Sequence, residues 1–154
     1  ALTPEDRLTE LAAGLRHTDR VVVTARGYSY ATAREAALKL METSYLSAQA
    51  FSGADLLHGP LAMIDESVPV IAISSPGRGG DAMAPALERL AALHAPVLRV
   101  GADGDLPIAA GGLPEHLLPI LEILPLQRLA WRVALERGLD PDRPRGLSKV
   151  TQTR

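Results

Sequence analysis

The segment Glu35-Ala36-Ala37-Leu38-Lys39-Leu40-Met41-Glu42 carries three ionisable groups spaced i, i+4, i+7. On a helix that spacing puts Glu35, Lys39 and Glu42 on one face. The rest of the segment is mostly apolar, so the charged stripe faces either water or a polar cleft. Facing water, it is a ladder of exposed ion pairs, a common and energetically minor feature. Lining a cleft, a partly desolvated carboxylate beside a lysine can serve as a general base towards a carbon acid. Spacing alone leaves both readings open.

Three further places could hold chemistry. His58-Gly59-Pro60 puts a group that titrates near neutrality at a turn, where it either shapes the backbone or moves protons. Lys149 lies in the tail Pro144-Arg145-Gly146-Leu147-Ser148-Lys149-Val150-Thr151. It is either a solvated charge or, with the tail folded down and the amine's pKa lowered, a Schiff-base nucleophile. The loop Ser74-Ser75-Pro76-Gly77-Arg78-Gly79-Gly80-Asp81 joins a strand to a helix, where backbone N–H groups often hold phosphate. Pro76 removes one donor and neither common phosphate-loop spacing is present, so a plain connection is expected. Four scattered histidines and no cysteine give no metal-ligand spacing, disulfide or thiol nucleophile.

The elements that must position these residues alternate. Thr3-Pro4-Glu5-Asp6 predicts a helix start, with Thr3 as N-cap and Pro4 at the first helical position, running to about Arg16. Strands are predicted at 21–25, 48–51, 68–74, 96–100 and 106–109. Helices are predicted over 31–47, 55–64 (broken at Gly59-Pro60), 82–93 and 114–137, the last kinked or split by Pro119 and Pro125 and stopped by Gly138. This alternation argues for a parallel sheet covered on both faces, with ligands at the C-terminal strand ends.

The chain has 154 residues, the size of one domain, with 47% hydrophobic and 22% charged residues, enough to bury a core. A net charge of −2 gives no reason to expect nucleic acid or an acidic membrane as partner. No apolar run approaches a membrane span and the N-terminus lacks a signal-peptide pattern, so a cytoplasmic location is expected. The chain begins at Ala1 rather than Met, and a longer parent chain is expected.

Four pieces occur in order: Arg26-Gly27; Glu35 to Glu42; Asp55-Leu56-Leu57-His58-Gly59-Pro60; and Asp142-Arg143-Pro144-Arg145-Gly146-Leu147-Ser148-Lys149. Together they resemble the second SIS (sugar isomerase) domain of the glucosamine-6-phosphate synthase isomerase family, from about residue 19 onward, with a tail closer to the glutaminase-free relatives. The resemblance implies an α/β fold, a three-layer αβα sandwich of flavodoxin-like type around a five-stranded parallel sheet. Residues 1–140 would form one SIS domain, and 141–154 an extended tail contributing to the active site.

It also implies isomerisation of hexose 6-phosphates between ketose and aldose, coupled to amination or deamination, without metal or cofactor. Glu42 would match the general base working between C1 and C2, and Lys149 the lysine that forms a Schiff base with the open-chain ketose. His58 would match the histidine assisting ring opening, usually in the neighbouring subunit's site, so a homodimer is expected. Lys39 and Glu35 would match the polar pair around the base, and Ser148 the residue beside the lysine whose backbone touches the sugar. The family's Ser-x-Ser-Gly-x-Thr phosphate loop belongs to the first SIS domain, the other expected partner, and Ser74 to Asp81 does not match it. Asp55 stands where the family often has glutamate. The alternative is a non-catalytic SIS domain that binds phosphosugars and regulates a partner.

Overall fold

A computed structural model of the protein describes residues 3–147. Among these, β1 (Arg20–Ala25), β2 (Ser47–Ser52), β3 (Val70–Ile73), β4 (Val97–Gly101) and β5 (Leu106–Pro107) form one sheet. All pairs are parallel and the order is β2-β1-β3-β4-β5. The direction of winding reverses between β1 and β3, so a crevice opens at their C-terminal ends. All five expected strands are present, within a few residues of their expected limits.

Why β1 and β3 are central follows from their side chains. Successive residues of a strand point to opposite faces, and a strand buried on both faces reads as continuously apolar. Val21, Val23 and Ala25 pack with Ile71 and Ile73 on one face, against α1 (Glu5–Leu15), α2 (Ser29–Ser44) and α6 (Leu118–Glu136). Val22 and Val70 point the other way, towards Leu56 of α3 (Gly53–Leu56) and Leu90 of α5 (Ala84–Ala92). The short α4 (Arg78–Asp81) precedes α5. Helices on both faces of the sheet make the three layers.

Several element ends differ from expectation for local reasons. In α1 the first helical bond runs from Leu8 N–H to Pro4 O, which makes Pro4 the cap. Thr3 is buried instead, its carbonyl accepting from Arg128. Glu115–Leu117 is a single 3-10 turn, and α6 then continues unbroken from Leu118 through Pro125. Pro119 falls in its first turn, where a missing N–H costs nothing. Gly138 (φ 70°) ends α6, with Leu139 N–H bonded to Ala134 O and Gly138 N–H to Leu135 O, a Schellman closure. The described part of the tail turns rather than running extended: Asp142 N–H donates to the Asp140 carboxylate, and Gly146 is left-handed.

α2 decides the geometry of everything charged. Its buried side is Ser29, Thr32, Ala33, Ala36, Ala37, Leu40 and Ser44, a helical stripe of small residues. Two groups on α6 set its position. Glu122 is fully buried and accepts from Ser29 Oγ at 2.7 Å and Thr32 Oγ1 at 2.9 Å. At the other end Ser44 Oγ lies 3.4 Å from Ala130 O. An acid placed at the first turn of a helix also suits the helix dipole. Replacing Glu122 by Ala strips both hydroxyls of their acceptor, and is expected to cost about 3 kcal/mol of unfolding free energy in urea titration, with a smaller loss for Glu122→Gln.

Candidate functional site

With its small-residue side committed to the sheet and α6, α2 turns Glu35, Lys39 and Glu42 outward together. Lys39 Nζ donates to Glu42 Oε2 at 2.7 Å and stands 3.5 Å from Glu35 Oε1. The three side chains are only partly exposed, at 40% for Glu35 and 31% for Lys39 and Glu42. Leu38 and Met41 are exposed beside them. Glu35, Leu38 and Met41 face Ala48 and Ala50 of β2 across a groove of about 510 Å³ along the sheet edge. The stripe expected from spacing is therefore one connected group, and its Glu35 end lines the groove.

Lys39 is held in its charged form. Its hydrogen bond to Glu42 raises the pKa above the ordinary 10.5, partial burial opposes this, and the charge of Glu35 adds to it. An ammonium stabilised in this way is a poor nucleophile at neutral pH, because a Schiff base requires the free amine. Lys39 suits the role of a fixed positive charge beside a carboxylate, and covalent chemistry would need a different lysine.

The C-terminal segment returns to the end of this helix. Tyr45 closes α2 in the left-handed conformation, φ 55° and ψ 31°, with its N–H bonded to Leu40 O. The Tyr45 hydroxyl accepts from Arg145 N–H at 2.8 Å, and the Arg145 guanidinium lies over the Tyr45 ring at 4.0 Å. These contacts join residues one hundred positions apart. Sequence reasoning missed Tyr45. Ser148 and Lys149, both expected in the site, lie outside the described residues.

His58 stands elsewhere. Ser52 caps α3, its hydroxyl accepting from Asp55 N–H and donating to the Asp55 carboxylate, which gives Asp55 a local task in shaping this turn. The chain then turns through His58, whose N–H donates to Asp55 O, and Gly59 at φ 141°, a value that favours glycine. His58 is exposed. It follows the C-terminal end of β2, whereas Glu42 precedes its start, and a strand of this length spans about 17–20 Å. Within one chain the structure does not bring His58 to Glu42.

The loop between β3 and α4 is a connection in which two backbone donors are already taken. Glu115 accepts from Gly79 N–H at 2.7 Å and Arg78 N–H at 3.2 Å. A Cβ on Gly77 would stand 2.7 Å from the Glu115 carboxyl carbon, so glycine is what lets the carboxylate in. This tie fastens the start of α6 to the crevice at the ends of β1 and β3. A separate cavity of about 270 Å³ is lined by Thr3, Pro107, Ile108, Leu121, Leu124 and Pro125, all uncharged, and offers no acid or base.

Comparison with known proteins agrees with this geometry. The SIS domain family matches residues 14–113. The chain is 39% identical to the glutamine–fructose-6-phosphate aminotransferase (isomerizing) of Methanothermobacter thermautotrophicus, over 97% of this chain and 27% of that protein. It is 36% identical to the protein of the same name from Pyrococcus horikoshii, over 97% and 26%. It thus spans about a quarter of the length of the curated relatives it matches. Among solved structures, the C-terminal domain of glucosamine-fructose-6-phosphate aminotransferase from Francisella tularensis superposes with a TM-score of 0.80 at 25% identity, covering 90% of this chain and 41% of that one. Glucosamine-6-phosphate deaminase from Thermotoga maritima superposes with a TM-score of 0.76 at 27% identity, covering 94% and 44%. A five-stranded parallel sheet between helix layers, a charged α2 and the family match over most of the chain together show that the protein belongs to the SIS domain family.

Proposed function

We propose that this chain is the catalytic-base half of a phosphosugar isomerase, acting on a hexose 6-phosphate with coupled amination or deamination. The observation that carries the reading is the return of the C-terminal segment to the end of α2, three residues beyond Glu42. In this reading Lys149, four residues past Arg145, comes to the same end of the helix as the Glu42 carboxylate. The names of the relatives, aminotransferases and a deaminase of sugar 6-phosphates, support the same substrate class.

In this reading the Lys149 amine adds to the C2 carbonyl of an open-chain ketose phosphate, and water leaves to give an iminium. Ammonia then replaces Lys149 at C2, which frees the lysine and leaves the sugar's own iminium, and this acidifies the C1 protons. Glu42 takes one of them, an enaminol forms, and the protonated carboxyl returns the proton at C2 to give the 2-amino aldose; deamination runs the same steps in reverse. Lys39 keeps a positive charge beside Glu42 throughout, and Glu35 holds Lys39. Ser148 would offer backbone contacts to the sugar. His58, a strand's length away, would serve ring opening in a second copy's site, which requires a dimer.

The phosphate would be held by another SIS domain of the parent chain, since the amides of Arg78 and Gly79 are occupied by Glu115. An unpartnered face is in place for such a domain. Ile120, Leu124, Trp131 and Leu135 lie along one side of α6, and Ile120 is 64% and Trp131 45% exposed.

Two measurements test this. In the full-length protein, borohydride reduction with fructose 6-phosphate is expected to fix the sugar on Lys149, read by peptide mass spectrometry. Glu42→Gln should then lower kcat by roughly a hundredfold or more with sugar binding retained. No adduct, with full activity in Lys149→Ala, would remove the chemistry, and sugar binding without turnover in the wild type would indicate a sensor. Hydroxyl-radical footprinting should show Ile120 and Trp131 reactive in the 154-residue chain and protected in the full-length protein. Equal reactivity in both would rule out this face as the docking surface.

A further inference from the structure

The other edge of the sheet, at β5, holds two adjoining cavities of different character. The apolar one, of about 270 Å³, lies against Leu121, Leu124 and Pro125 of α6. Its neighbour, of about 530 Å³, is lined by Thr3, Pro4, Arg7, Arg99, Asp103 and Asp105 among others. Thr3 and Pro107 line both, so the two make one cleft with an apolar end and a charged end. In the charged end Asp105 is already satisfied, accepting from Arg7 Nη2 at 2.6 Å and from Arg99 N–H at 2.9 Å. Among the described residues the Arg99 guanidinium and the Asp103 carboxylate make no ion pair, with each other or with any other group. The N-terminus of α1 opens here, since its cap Pro4 lines the cavity and no side chain caps its first N–H groups. Glu5, in that first turn, is held by Arg128 at 2.8 Å. At the junction of the two ends Thr3 is 3% exposed, and its Oγ1 has no hydrogen-bond partner among the described residues. A buried hydroxyl without a partner is uncommon in a native fold.

We propose that this cleft binds a free α-amino acid with an aliphatic side chain. The chemistry of its lining selects that class. The first turn of α1, the Thr3 hydroxyl and the Arg99 guanidinium offer donors to a carboxylate. Asp103 offers an acceptor to an ammonium. One free cation and one free anion in the same cavity favour a zwitterion over an ion of either sign. The apolar end, walled by Ile108, Leu121 and Leu124, takes the side chain. An added peptide strand fits less well, because Pro107 stands in the edge strand and has no N–H to pair. Four strand spacings, about 19 Å, separate β5 from β2, so the cleft is distinct from the groove beside α2. The proposal does not depend on the chemistry of Glu42 and Lys149.

Isothermal titration calorimetry of the full-length protein with L-leucine tests this. Saturable binding of one L-leucine per chain is expected. Isocaproate lacks the ammonium, isoamylamine the carboxylate and glycine the side chain, and each should bind about tenfold or more weakly. Asp103→Asn, Arg99→Gln and Thr3→Val should each weaken L-leucine by about fivefold or more. Asp103 and Arg99 are exposed, so those two variants keep the fold and guard against a packing defect in Thr3→Val. Absence of binding at about 10 mM L-leucine would overturn the proposal. Isocaproate binding as tightly as L-leucine would show a plain anion site and exclude the amino acid. Unchanged affinity in both Asp103→Asn and Arg99→Gln would place the bound leucine elsewhere and contradict the assignment of this cleft.

Discussion

Everything charged in this molecule's site depends on the commitment of α2's opposite side. Ser29, Thr32, Ala33, Ala36, Ala37 and Ser44 are small, which lets the helix axis come close to β1 and to α6. Glu122 then fastens the first turn through two hydroxyls, and the carbonyl of Ala130 receives the last. Close packing of this kind tolerates little rotation. Glu35, Lys39 and Glu42 are therefore set on the outward face by contacts that none of them makes. As exposed ion pairs they contribute little stability. Their value is the arrangement of one cation between two half-buried carboxylates.

The crevice at the switch point and the groove beside α2 divide the work. In open α/β sheets ligands usually sit where the winding reverses. Here that place holds the Glu115 carboxylate among Gly27, Gly77 and Gly79, so the usual anion donors stabilise the fold. Under the proposed function the acting groups lie instead near the sheet edge and the end of α2, where another domain and the tail would complete a pocket.

Much of this was legible in the sequence, and what was missed shares one cause. Val21 to Ala25 and Val70 to Ile73 are continuous apolar runs, and a strand buried on both faces has that signature. The i, i+4, i+7 spacing of Glu35, Lys39 and Glu42 needed only a helix to make one group. Tyr45, Glu115 and Glu122 were missed because each works through a partner far along the chain: Arg145, the Arg78-Gly79 amides, and Ser29 with Thr32. Periodicity is local and carries no such information. Glu122 did leave a trace, as a lone acid within the apolar run Leu118 to Leu126, and burial with dedicated partners is what such a residue requires. The left-handed close of α2 left none, because tyrosine is not a residue that signals that conformation. The splitting expected at Pro125 failed because the packing of α6 against α1 and α2 outweighs one missing hydrogen bond.

The central claim is that the carboxylate of α2 and the amine of the tail open onto one pocket. The chain has no cysteine, so a pair introduced as Glu42→Cys and Lys149→Cys can be probed without background. A short bismaleimide should join positions 42 and 149 within one molecule, seen as a linked peptide pair by mass spectrometry. Two cysteines each modified separately, with no linked pair at any reagent excess, would place the amine away from α2 and contradict the account.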